Sequence, residues 1–206
     1  MKILINLKTY KYGKESLNLV KKIEKFNKDI IVGVQPTEIF QISKSTKLEV
    51  FSQHTDFFVP ERFTGYVIPE AVKSAGAKGV FLNHSEHRLS FDVIKKTTTR
   101  CKKIGLKVAV FVDSLNLAKK VDKLKPDYLV YEPAELVGGK ISVSETKPSV
   151  IHKISKVVKN PFLVGAGIKT KKDIDKSIEL GAKGVAFSSA ITLAKNPEKK
   201  LKQLFN

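Results

Sequence analysis

The chain has 206 residues, 42% hydrophobic and 28% charged, a balance that suits one folded core, excludes a disordered chain and, with no apolar run near ~18 residues, excludes a helical membrane span. Against 20 Asp and Glu stand 38 Lys and Arg, a formal net charge of +18. The basic pairs, such as Lys21-Lys22, Lys102-Lys103 and Lys171-Lys172, are spread over most of the predicted helices with few aromatics beside them, which reads as a solvated surface rather than a specific nucleic-acid groove. The single cysteine, Cys101, allows no internal disulfide and reads as a packing residue within a predicted helix. The opening Lys2-Ile3-Leu4-Ile5-Asn6-Leu7-Lys8 has too short an apolar stretch for a secretory leader, so a cytoplasmic protein with no membrane partner is expected.

Eight short runs rich in β-branched residues cover 3–6, 30–34, 48–53, 79–83, 108–112, 128–131, 162–165 and 184–187. Their near-continuous apolar character predicts parallel strands buried on both faces. The first run ends at Asn6-Leu7-Lys8, and the segment after it puts Leu19, Val20, Ile23 and Phe26 on one helical face with lysines opposite. The third leads into Arg62-Phe63-Thr64-Gly65-Tyr66. Gly76-Ala77-Lys78-Gly79-Val80 leads into the fourth and recurs as Gly181-Ala182-Lys183-Gly184-Val185 before the eighth, with glycines suited to a tight helix-to-strand turn. The fourth run ends at Asn83-His84-Ser85-Glu86, where Ser85-Glu86 are predicted to open a short helix. The sixth ends at Tyr131-Glu132-Pro133, and the proline keeps Glu132 extended. After the seventh comes Gly165-Ala166-Gly167, then Thr170 and Asp173 as an N-cap pair for a helix that Gly181 closes. After the eighth comes Ser188-Ser189, and Asn196-Pro197 opens the last helix.

Eight alternating β and helical units predict an α/β protein: a single-domain (β/α)8 TIM barrel over residues 1–206, with trimmed helices and loops. In such a barrel the chemistry belongs at the C-terminal strand ends, where Lys8, His84, Glu132, Gly165 and Ser188 all fall. A cation, an imidazole and a carboxylate are the groups needed to move a proton beside the carbonyl of an anionic substrate. Glycine and serine turns let backbone amides approach phosphate oxygens. His84-x-x-His87 has no third ligand at a suitable spacing, so no metal is expected.

These motifs together resemble triosephosphate isomerase in its shorter archaeal-type form, over nearly the whole chain. The resemblance implies interconversion of D-glyceraldehyde 3-phosphate and dihydroxyacetone phosphate, with Lys8, His84 and Glu132 catalytic. It implies substrate binding by Asn6, Lys8, Glu86, Val137, Gly138, Gly165, Gly167, Ser188 and Ser189, under a lid spanning 133–140. Glu86 would hold Lys8 or a substrate hydroxyl, and the Tyr-Glu-Pro context selects Glu132 over Glu135 as the base. No metal or organic cofactor is implied. A homo-oligomer, dimer or tetramer, is implied, with Thr64-Gly65 in the loop that inserts into a neighbouring subunit. The chain departs from the family at several positions. Gly138-Gly139-Lys140 stands where Gly-Thr-Gly is more frequent, and Ser188-Ser189 where many relatives carry glycines or an alanine–serine pair. Ala190 replaces a glycine, and Tyr66 an acidic residue. Two other functions fit parts of the pattern. A different sugar-phosphate isomerase on the same barrel would need the phosphate turns but not the His84 and Glu132 pair. A nucleic-acid-binding protein would use the basic surface instead.

Overall fold

A computed structural model describes residues 1–27, 29–137, 139 and 142–205. Its strands are β1 (Lys2–Asn6), β2 (Ile30–Val34), β3 (Glu49–Ser52), β4 (Gly79–Leu82), β5 (Lys107–Val112), β6 (Tyr128–Tyr131), β7 (Phe162–Val164) and β8 (Gly184–Phe187). They pair in chain order into a closed barrel. All the pairs are parallel, and Ile3 closes the ring between Ile30 of β2 and Val185 of β8. Every predicted run becomes a strand. Gln53, Asn83 and Gly165 fall just past strand ends, on the rim where side chains leave the ladder for the mouth of the barrel.

Helices follow every strand: α1 (Lys14–Phe26), α2 (Ile39–Ser43), α3 (Pro69–Ser74), α4 (Phe91–Lys103), α5 (Leu115–Asp122), α6 (Val143–Thr146), α7 (Pro148–Val157), α8 (Lys171–Glu179), α9 (Ser189–Thr192) and α10 (Pro197–Phe205). The trimming shows in α2 and α3, which have 5 and 6 residues. In α1, Leu19, Val20 and Ile23 are buried as their spacing requires, and Phe26 rests on Phe205 with ring centroids 5.8 Å apart. The recurrent five-residue segment is a structural repeat too. Gly76 (φ 106°) and Gly181 (φ 103°) end α3 and α8 in the same left-handed turn. Among the described residues no helix is long and apolar enough to cross a membrane.

Strand side chains alternate between two cores. Ile3, Ile5, Val32 and Val50 face outward against the helices, while Leu4, Ile31, Phe51, Phe81, Phe111 and Leu163 fill the barrel. The rings form a column: Phe51 to Phe81 is 5.7 Å and Phe81 to Phe111 is 5.4 Å. Gly33 makes room for it, since a Cβ there would stand 2.0 Å from Phe81. Cys101 is fully buried, and burial pushes its thiol up to about 12, the behaviour of a packing residue. Near the N-terminal ends of the strands, Glu49 takes Lys2 at 3.0 Å and Lys107 at 2.6 Å. Burial pushes its carboxyl up, but the hydrogen bonds and charges of Lys107 and Lys2 outweigh that and hold it below the usual carboxylate range.

Candidate active site

Lys8 lies two residues beyond β1 in the left-handed region (φ 49°), a conformation that costs a non-glycine residue roughly 1 kcal/mol or more and persists only where neighbours enforce it. Here the Asn6 carboxamide oxygen accepts the Lys8 N–H at 3.0 Å and the Gln53 Nε2 at 3.0 Å, while the same Gln53 nitrogen donates to the Lys8 carbonyl at 3.0 Å. So fixed, the Lys8 ammonium reaches Glu86 Oε1 at 2.6 Å, with the lysine side chain 11% exposed. Glu86 therefore holds Lys8, one of the two contacts expected of it. Gln53 was not foreseen; its only trace in the sequence is a carboxamide ending an apolar run.

His84 follows β4 through Asn83, itself left-handed (φ 60°). The Asn83 amide donates to the Phe111 carbonyl at 2.9 Å and its oxygen accepts the Leu89 N–H at 2.9 Å. The helix expected at Ser85-Glu86 is a turn instead, closed by the His87 N–H on the His84 carbonyl at 2.8 Å. The Leu89–Asn83 bond draws the chain back across the strand end, and the helix begins only at Phe91 behind its cap Ser90. The turn aims the Glu86 N–H at His84 Nδ1, 3.1 Å away. Nδ1 accepts that bond through its lone pair, so the ring proton sits on Nε2. The ring stands edge-on to Phe111 at 4.9 Å, the top of the aromatic column. His87 turns away and stacks on His54 at 4.2 Å.

Glu132 follows β6, its N–H held by the Val112 carbonyl at 2.8 Å. Its side chain is 11% exposed, and Oε2 stands 3.0 Å from His84 Nε2. The imidazole N–H is not aligned on that oxygen, so Oε2 is buried without a hydrogen-bond partner among the described residues. Such an oxygen carries an unmet demand for a proton donor. Gly165 flanks the other oxygen: a Cβ there would stand 2.8 Å from Glu132 Oε1. Gly165 also carries one of the backbone N–H groups of the turn expected to receive phosphate. That N–H completes the ladder to the Tyr131 carbonyl at 2.9 Å, and the glycine is needed for the space it leaves the carboxylate. Glu135 is exposed and paired with Lys147 at 2.5 Å, away from this cluster.

Lys8, Glu132, Val137, Gly167, Ser188 and Ser189 line one pocket. Asn6, His84 and Glu86 line a second hollow that meets it at Lys8. Ala166 (φ 72°) and Gly167 (φ 70°) turn the chain sharply after β7, and the Thr170–Asp173 capping box then starts α8 as predicted. The Ser188 hydroxyl is buried and makes no hydrogen bond among the described residues. Gly138 and Lys140 lie outside the described residues. Lys169, which also lines the first pocket, was missed in the sequence because it looks like one more surface lysine.

A family model described as triosephosphate isomerase matches residues 1–204. The chain belongs to the triosephosphate isomerase family. It is 42% identical to the triosephosphate isomerase of Saccharolobus solfataricus, over 96% of this chain and 91% of that one. The enzyme of Sulfolobus acidocaldarius is 43% identical, over 96% of this chain and 90% of its own. That of Methanocaldococcus jannaschii is 36% identical, over 99% and 98%. The family and the (β/α)8 barrel expected from the motifs are thus both borne out.

Proposed function

We propose that the protein interconverts D-glyceraldehyde 3-phosphate and dihydroxyacetone phosphate through an enediolate, and that Lys8, His84 and Glu132 carry the reaction. The observation that supports this most is the 3.0 Å approach of His84 Nε2 to the Glu132 carboxylate, beside the buried Lys8 stem. Glu132 takes the proton from the carbon next to the carbonyl. The C–H electrons form the C=C bond, the carbonyl electrons move to oxygen, and the Nε2 proton of His84 neutralises that oxygen. His84 then recovers a proton from the neighbouring hydroxyl, and Glu132 returns its proton to the former carbonyl carbon. The Lys8 ammonium offsets the charge of oxygen and phosphate, a fixed electrostatic contribution typically worth a few kcal/mol in a water-poor site. Asn6 and Glu86 set Lys8, while Gly167, Ser188, Ser189, Val137 and Gly138 receive the phosphate. The Ser188 hydroxyl, buried with no hydrogen-bond partner among the described residues, favours this, since a bound oxygen would satisfy it. The proton removed is already acidified by the adjacent carbonyl, so this chemistry calls on no metal or organic cofactor.

The proposal includes one domain over residues 1–206, a cytoplasmic setting and a homo-oligomer, dimer or tetramer, with Thr64 and Gly65 near a subunit contact. In favour of assembly, Phe63 and Tyr66 beside them are 40% and 51% exposed, and both rings pack on Phe58. An exposed aromatic group of this kind is the usual mark of a contact surface. The test of activity is a coupled assay run in both directions. Turnover of both triose phosphates is expected; turnover of neither would overturn the reading.

A further inference from the structure

Lys169 is held at three points by three parts of the fold. Its N–H donates to Asp173 Oδ2 of α8 at 3.0 Å. Its carbonyl accepts the Lys200 ammonium of α10 at 2.9 Å. Its own ammonium donates to the Gly139 carbonyl at 2.8 Å, on the loop that follows Glu132. Asp173 is buried and also takes the Thr170 N–H at 2.9 Å and hydroxyl at 2.8 Å, so the backbone that presents Lys169 is firmly set. From there the side chain runs along the pocket wall beside Gly167, Ser188 and Ser189. Ordering a lysine side chain costs up to ~2 kcal/mol of rotamer entropy. Three anchors around a single lysine at the mouth of an anion pocket mark it as more than a solvated surface charge.

We propose that Lys169 is a positioning residue, a clasp that ties the Glu132 loop to the turn after β7 across the mouth of the phosphate pocket. The role rests on the isomerase reading. A charge-assisted hydrogen bond from one wall to the other keeps the loop over the substrate while the proton is in transit. With the clasp gone, the enediolate is less enclosed. Its electron pair can then expel phosphate by breaking the C–O bond, and the resulting enol rearranges to methylglyoxal.

The experiment compares Lys169→Met, Lys169→Arg and Lys172→Met with the wild type. Lys172 is an exposed neighbour on α8 whose loss changes the net charge equally. Lys169→Met is expected to raise the inhibition constant of phosphoglycolate about tenfold, the size a partly screened charge-assisted hydrogen bond leaves. Methylglyoxal released per isomerisation should rise several-fold, with the melting temperature near that of the wild type. Lys169→Arg should show little of either effect, and Lys172→Met should show neither. In the ligand-free protein, hydrogen exchange over 132–146 should quicken in Lys169→Met alone. Unchanged exchange, inhibition and methylglyoxal yield in Lys169→Met would overturn the clasp. Equal effects in Lys172→Met would overturn it too, by showing a general charge effect. A wild type without isomerase activity would sink the functional reading, while the exchange measurement would still decide whether Lys169 holds the loop.

Discussion

Two carboxylates lie three residues apart in the segment after β6, and their surroundings separate them. Glu132 is 11% exposed against His84, whereas Glu135 is 58% exposed in a pair with Lys147. Glu132→Gln keeps the shape but cannot take a proton, so turnover should fall by about 1,000-fold or more, with phosphoglycolate binding and melting near wild type. Glu135→Gln removes an exposed pair worth under ~1 kcal/mol and should leave turnover intact. Steady-state kinetics of both variants check this, and the reverse pattern would reassign the base. Gly165→Ala should also lower kcat, by roughly 10- to 100-fold, because a Cβ 2.8 Å from Glu132 Oε1 must displace the carboxylate. A kcat unchanged by that methyl would show that the carboxylate has slack. The placement of Lys8, His84 and Glu132 just past strand ends was legible because each follows an apolar run that reads as a buried strand. The task of Gly165 was not, since it depends on a carboxylate brought alongside from the neighbouring strand. Gln53 was hidden for the same reason: its three acceptors belong to β1 and β2 segments far away in the chain.

Elements whose ends are decided locally were readable. Thr170 and Asp173 form the capping box they spell, and the Asn196 side chain accepts the Lys199 N–H at 2.9 Å to start α10. Ser85-Glu86 misled because a side-chain bond that closes the loop, the Asn83 oxygen on the Leu89 N–H, outweighs a sound local start signal. The strands were legible as strands, yet which residues face inward was not, because runs buried on both faces carry no alternation. The ring column shows the outcome. Phe81→Ala should destabilise the fold by about 3–5 kcal/mol in urea unfolding, the cost of a large cavity in a core with little freedom to collapse. At the opposite end, Glu49 has its folded pKa below the ordinary value. Its stabilisation is therefore complete above that ordinary value and is lost as pH falls through the lower folded one. Glu49→Gln should flatten the acid limb of stability against pH by about 1 kcal/mol or less, given solvent screening. An unaltered acid limb would show that Lys2 and Lys107 gain nothing from it.

For the molecule as a whole, the charge of +18 attracts a phosphate dianion to the protein, and this attraction weakens once salt shortens the Debye length to about 3 Å near 1 M. Assembly belongs to this scale as well. Light scattering should give a dimer or tetramer, and Tyr66→Lys with Phe63→Lys should shift it toward monomer with lower activity. A fully active monomer at all working concentrations would contradict the oligomer. The central claim is that Glu132 removes a proton from one carbon, exchanges it in part with solvent while it sits on the carboxyl group, and returns a proton to the adjacent carbon. Its most direct measurement is conversion of dihydroxyacetone phosphate in D2O, with the product trapped as formed and read by NMR. Deuterium at C2 of the glyceraldehyde 3-phosphate from the wild type, with essentially no product from Glu132→Gln, is the result this account requires. Comparable labelled product from Glu132→Gln, or wild-type product formed with no exchange at all when substrate hydrogen is followed in the reverse direction, would contradict it.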